Sequence, residues 1–113
     1  DGVIIISTPQ EIALQDVKRG IRMFDKLKVK ILGLIDNMSH FIGDDGKKYA
    51  IFGEGGVKKT ADEFKKNFLG EIPIDPEIGK QGDMGSPIVI SKPDHKISKT
   101  YLKFAEKIKS IYL

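Results

Sequence analysis

Two hydrophobic periodicities alternate along the chain. Val3-Ile4-Ile5-Ile6 is an unbroken apolar run, so residues 2–7 read as a strand buried on both faces. Thr8-Pro9-Gln10-Glu11 then has the form of a helix start, with Thr8 as the cap, Pro9 at the first helical position and Glu11 closing a capping box. Leu14, Val17, Ile21 and Phe24 follow at helical spacing and predict a helix that ends near Leu27. Residues 30–36 read as a second strand, and residues 37–52 are polar and turn-rich. Glycines at 53, 55 and 56 interrupt the chain before Val57, Ala61, Phe64 and Phe68 resume helical spacing. Residues 68–72 read as a short third strand. Residues 73–87 read as a long loop with one helical turn after Pro76, and Ile88-Val89-Ile90 as a short strand or extended segment. Asp94 is placed to cap a last helix carrying Ile97, Tyr101, Phe104, Ile108 and Ile111.

Strands alternating with helices predict an α/β fold, a partial parallel sheet with flanking helices joined by right-handed crossovers. Three strands and three helices make only part of such a sheet, and the apolar first strand needs a further neighbour. Asp1, not a methionine, stands directly before that strand. The expectation is a piece of something longer, with another half missing.

Composition narrows the chemistry. The chain has 113 residues, a formal charge of +3, 40% hydrophobic and 31% charged residues, which fits one folded domain rather than a disordered segment. It has no cysteine, which excludes disulfides, thiolate zinc sites, a cysteine nucleophile and an iron–sulfur cluster on its own thiolates. No apolar run approaches the length of a membrane span, and a cytoplasmic location is expected. The lysines are dispersed over amphipathic helices and are not interleaved with aromatics, so neither nucleic acid nor membrane is predicted as a partner. His40 and His95 are too isolated to suggest a metal site and read as surface-loop histidines.

Ligands of parallel α/β sheets gather at the carboxyl ends of the strands. Three polar loops leave strands at that edge here: 7–10, 36–39 and 73–75. Gly53-Glu54-Gly55-Gly56-Val57-Lys58-Lys59-Thr60 looks like a phosphate loop, but Lys58 occupies the position before Lys-Thr where glycine is required, and no strand directly precedes it. Its glycines are expected to shape the loop and to allow close approach at a helix start. No Ser/His/Asp triad or paired-carboxylate constellation is identifiable.

The residues also resemble a family. Residues 1–10 (DGVIIISTPQ) with Ile12-Ala13-Leu14-Gln15-Asp16 are similar to the strand and helix that follow switch II in the Mrp/ApbC family, MinD-like P-loop ATPases of iron–sulfur cluster assembly and carriage. Residues 32–39 (LGLIDNMS) resemble its LGxxxNMS segment, and residues 51–56 (IFGEGG) its IFGxGG motif. Residues 69–78 (LGEIPIDPEI) and 82–87 (GDMGSP) match LGxIPxDPxI and GDxGxP. The motifs run in order from Asp1 to about Val89.

The resemblance implies a C-terminal portion, residues 1–113, of a single MinD/ParA-like P-loop NTPase domain. Its N-terminal half, carrying the Walker A loop and both switches, is absent here. It implies that Asn37 hydrogen-bonds adenine, that Pro73, Ile74 and Asp75 close over the base, and that Ile78 lies nearby. ATP and Mg2+ are expected in the full-length parent, an ATP hydrolase, whereas this chain alone is expected to be inactive. Partners implied are the missing N-terminal half, a second copy of the full-length protein, and iron–sulfur apo-proteins. The family's CPxC pair is missing after NMS, where Phe41-Ile42-Gly43-Asp44-Asp45-Gly46 stands, which puts cluster carriage by this chain in doubt. Alternative readings are a fragment of a MinD/ParA-like positioning ATPase and a non-enzymatic interaction module derived from such an ATPase.

Overall fold

The computed structural model describes residues 1–113. It divides into two compact units, Asp1–Ile74 and Asp75–Leu113. In the first unit β1 (Val3–Ser7), β2 (Ile31–Asn37) and β5 (Phe68–Ile72) form a three-stranded parallel sheet in the order β1-β2-β5. Between them lie α1 (Glu11–Lys26), the short antiparallel pair β3 (Phe41–Ile42) and β4 (Lys48–Tyr49), and α2 (Gly56–Glu63). The second unit holds α3 (Pro76–Asp83), α4 (Ile88–Ser91) and α5 (Lys96–Tyr112).

The predicted α/β class and parallel sheet are present. Leu14, Val17 and Ile21 of α1, Val57 and Ala61 of α2, and Ile31 and Leu34 of β2 form one buried cluster, with Val3, Ile5, Phe24, Phe64 and Phe68 packed against it. β1, however, is not buried on both faces. It is an edge strand with Ile4 and Ile6 exposed at 38% and 54%, because the helices of this unit cover only the side that carries Val3 and Ile5.

Thr8 does not cap α1. The cap position is Gln10, with no side-chain cap bond, and the Thr8 hydroxyl lies 3.3 Å from Gln10 Oε1. The Pro9 carbonyl is packed against the Gly53–Gly56 loop, so the chain enters the helix only after that contact. Losing a cap costs about 1 kcal/mol. Burying Leu14, Val17 and Ile21 contributes roughly 1.5–3 kcal/mol each, which explains why the helix forms without one.

Residues 37–52, read as turn-rich, contain the β3–β4 hairpin, closed by Gly43 N–H to Lys47 O at 3.0 Å. α2 stops at Glu63, so Phe68 belongs to β5 and not to the helix. In the second unit the single expected turn after Pro76 is the eight-residue α3. Ile88-Val89-Ile90 is helical rather than extended, because the Ser98 hydroxyl of α5 binds the Ile88 and Lys92 carbonyls at 3.0 and 2.7 Å and overrides the β-branched preference. The cap of α5 is His95, whose Nδ1 accepts from Ile97 N–H at 3.1 Å, one residue beyond the expected Asp94. No helix is long and apolar enough to cross a membrane.

Candidate functional site

The carboxyl edge of the sheet is built by register. Ser7 of β1 pairs with Asp36 of β2, and Asp36 with Glu71 of β5, so the three strands end side by side. Beyond the strands the ladder continues. Ser39 N–H donates to Ile72 O at 3.0 Å and Ile74 N–H donates to His40 O at 2.7 Å. The segment after Asn37 therefore runs alongside Pro73 and Ile74, and three of the five expected site residues belong to one strip of backbone. Ile72 and Ile74 use the groups that face the neighbouring segment, and Pro73, between them, faces away, so its missing N–H costs this ladder nothing.

Asn37 holds a strained corner. Its Oδ1 accepts from Met38 N–H at 3.0 Å, and Met38 has φ 54°, a left-handed conformation that L side chains rarely adopt. The Asn37 amide can still donate, and its carbonyl retains a second lone pair. Asp75 and Ile78 fall in the second unit. Asp75 is the N-cap of α3, its Oδ1 accepting from Glu77 N–H at 2.9 Å, with Pro76 in the first turn. Its Oδ2 lies 3.8 Å from His95 Nε2. Asp-Pro-Glu is a cap, proline and first-turn acid in sequence, a signal that could have located this helix. Ile78 lines a small apolar pocket of about 220 Å³ with Pro87, Ile88, Val89 and Tyr101. Neither histidine is an idle loop residue. His95 caps α5, and His40 Nδ1 lies 2.6 Å from Ser39 Oγ and 3.4 Å from Glu71 Oε2.

Beside this strip lies a cavity of about 400 Å³ that the sequence reading missed. It is lined by Asp36, Ser39, Lys48, Glu54 and Glu71, with Ala50 and Gly55. Asp36 is only 2% exposed, and its Oδ1 has no hydrogen-bond partner. Burial pushes the Asp36 carboxyl up to about 6; the neighbouring Glu71 carboxylate adds to the rise and the Lys48 ammonium offsets part of it. Lys48 Nζ also sits 3.5 Å from Glu71 Oε2, which ties the hairpin to β5. A single acidic residue inside a mostly apolar strand, Leu34-Ile35-Asp36, was the available signal.

The IFGEGG segment is a packing device. Gly53 has φ 122°, and a Cβ there would lie 2.9 Å from the Pro9 carbonyl oxygen; one on Gly56 would lie 2.6 Å from Leu14 Cδ1. Thr60 is buried with its hydroxyl donating to Gly56 O at 2.9 Å, and Lys58 pairs with Asp62 at 3.0 Å. This is the close approach at a helix start that the glycines predict.

Where cysteines would be needed, the hairpin carries Asp45, whose Oδ2 accepts from Tyr49 O–H at 2.5 Å and whose Oδ1 accepts from Lys47 N–H at 2.9 Å. Those bonds, the Tyr49 one foremost, hold the Asp45 carboxyl below its ordinary value, and the bond to Asp45 raises the Tyr49 phenol. No three His, Cys, Asp or Glu side chains converge on a common point, and the chain has no thiolate. The residues present therefore fit neither a magnesium site nor a cluster site confined to this chain.

A parallel sheet with its polar loops gathered at the carboxyl edge is the arrangement of nucleotide-binding α/β proteins, and solved structures of that class share it. An Archaeoglobus fulgidus nucleotide-binding protein in complex with ADP superposes with a TM-score of 0.68 at 32% identity, covering 86% of this chain and 39% of that one. The Pyrococcus furiosus cell division ATPase MinD gives a TM-score of 0.72 at 25% identity, over 96% and 42%.

The chain belongs to the family described as "ParA: NUBPL iron-transfer P-loop NTPase", whose model matches residues 1–109. It is 42% identical over 111 residues to an iron-sulfur cluster carrier protein of Aquifex aeolicus, covering 97% of this chain and 30% of that protein. The chain thus spans about a third of the length of such relatives.

Proposed function

We propose that this chain supplies the adenine side of the nucleotide site of an ATP-binding protein that acts in iron–sulfur cluster assembly or transfer. The carrying observation is the strip at the carboxyl edge, where the chain leaving Asn37 is hydrogen-bonded to the chain leaving Ile72. Asn37 reads the base by its side-chain amide and Pro73 and Ile74 close over it; in the second unit Asp75 serves as the N-cap of α3 and Ile78 lines that unit's own apolar pocket. ATP with Mg2+ is held in the whole protein by a phosphate loop and switches outside this chain. Its setting is cytoplasmic. That protein works as a homodimer with its N-terminal half in place and serves iron–sulfur apo-proteins, while this chain, having no cysteine, holds no cluster on thiolates of its own. The position of the missing pair is taken by the Asp45–Tyr49 hairpin.

Amide and side-chain NMR of the chain, titrated separately with adenosine and guanosine, tests the base-binding part. Adenosine should shift Asn37, Met38 and Ile74 weakly and selectively, and Asn37→Ala should abolish the effect. Shifts that are absent, that fall elsewhere or that persist in Asn37→Ala would refute it. A phosphate-release assay on the pure chain should read no ATP turnover, since catalysis of phosphoryl transfer rests on parts that the chain lacks.

A further inference from the structure

We propose that the Asp36 cavity is a binding site for a guanidinium group, with Asp36 and Glu71 as its carboxylate acceptors and Glu54 at the rim. Three observations carry this. First, Asp36 is buried with an unpartnered Oδ1, and a buried acceptor without a donor is costly. Second, Asp36 and Glu71 are register partners on adjacent strands, so their side chains leave the same face of the sheet from backbones one strand spacing, about 5 Å, apart. A planar group with five donors in a fixed fork spans two carboxylates at that spacing better than a point-like ammonium does. Third, the lining carries three carboxylates, Asp36, Glu54 and Glu71, against one cation, Lys48.

Lys48 does not satisfy Asp36: its ammonium lies 3.5 Å from Glu71 Oε2, and Asp36 Oδ1 has no hydrogen-bond partner. His40 likewise faces Glu71 and Ser39. A metal ion is disfavoured because no three ligating side chains converge there. The site is separate from the proposed adenine contacts: Asp36 points its chemistry to the cavity, while Asn37, the next residue, has its Oδ1 on Met38 N–H.

The guanidinium could be carried by a small molecule or by an arginine side chain, and the test separates the two. The carboxyl 13C resonance of Asp36 is followed against pH with N-acetyl-arginine amide, N-acetyl-lysine amide, MgCl2 or NaCl at matched ionic strength. The arginine amide should lower the Asp36 midpoint by about one pH unit, a tenfold preference for the ionised form. It should also shift the amides of Ser39 and Gly55. Glu54→Gln, a change at an exposed rim position, should weaken this several-fold while the fold is kept, and Asp36→Asn should remove the amide shifts. Tighter binding of a tripeptide with central arginine identifies a protein side chain as the natural donor; tighter binding of the free amide identifies a small molecule. An unmoved midpoint, an equal effect of lysine amide or NaCl, or a larger effect of MgCl2 would overturn the proposal.

Discussion

At Asp36 a carboxylate sits among strand backbones with one oxygen unpartnered. Its folded-state value of about 6 lies above the ordinary aspartate value of about 3.9 in an unfolded chain. The folded chain therefore holds this proton more tightly, and the stability it contributes is fully present below about pH 4 and is lost as pH rises through about 6. Asp45 and Glu77 act in the opposite sense. Hydrogen bonds from Tyr49 and Lys92 respectively hold their carboxyls low, so their contribution is present above the ordinary carboxylate range and is lost in acid. The Asp36 effect is isolated by comparing urea midpoints of wild type and Asp36→Asn from pH 4 to 8. The variant should lack the fall between pH 4 and 6 and be more stable at pH 7 by on the order of 2–3 kcal/mol. A wild-type stability that rises relative to the variant over that window would refute the account.

Among the elements, three helices end alike and only one announces it. After α1, α2 and α3 the chain turns through a left-handed residue: Lys28 (φ 58°), Lys65 (φ 57°) and Gly85 (φ 70°). In each case the following N–H closes a six-residue loop, Val29 to Phe24 O, Lys66 to Ala61 O and Ser86 to Gln81 O. Glycine at the third position is legible as a helix stop; lysine at the first two is not. A left-handed L residue costs about 1–2 kcal/mol, so Lys65→Gly, an exposed change, should stabilise the chain by about 1 kcal/mol while Lys65→Ala should not. Thermal unfolding of the two variants decides this. Gly53 works in reverse. Gly53→Ala places a Cβ against the Pro9 carbonyl at positive φ and should destabilise by about 1–3 kcal/mol, read as a lowered denaturation midpoint. An unchanged midpoint would mean that the IFGEGG loop does not brace the start of α1.

For the whole molecule, the consequence of the sheet order is an open edge. β1 is unpaired on one side and presents Ile4 and Ile6. Unprotected apolar edge strands template association. Sedimentation velocity of the chain alone should show concentration-dependent self-association, reduced in the Ile4→Lys, Ile6→Lys double variant. A wild-type chain that stays monomeric at high concentration would show that this edge is not adhesive.

What the sequence determined by itself is the class and the strand exits. Helical and strand periodicities are local, and the alternation of β1, α1, β2, α2 and β5 leaves a parallel sheet as the way to bury their apolar faces. The motif order over residues 1–89 likewise carried the family, because it needs no contacts to be read. Tertiary structure decided the rest. Ser98 turned Ile88-Val89-Ile90 into a helix by bonding carbonyls ten and six residues before it. The Gly53–Gly56 loop displaced the cap of α1, and the hairpin folded on two-residue strands too short to show a period. The Asp36 cavity, too, exists only because strand register sets Asp36 beside Glu71 across 35 residues of chain. No local pattern specifies which side chains parallel strands bring together, since crossover connections place partners far apart in sequence and the pairing is fixed only when the core packs.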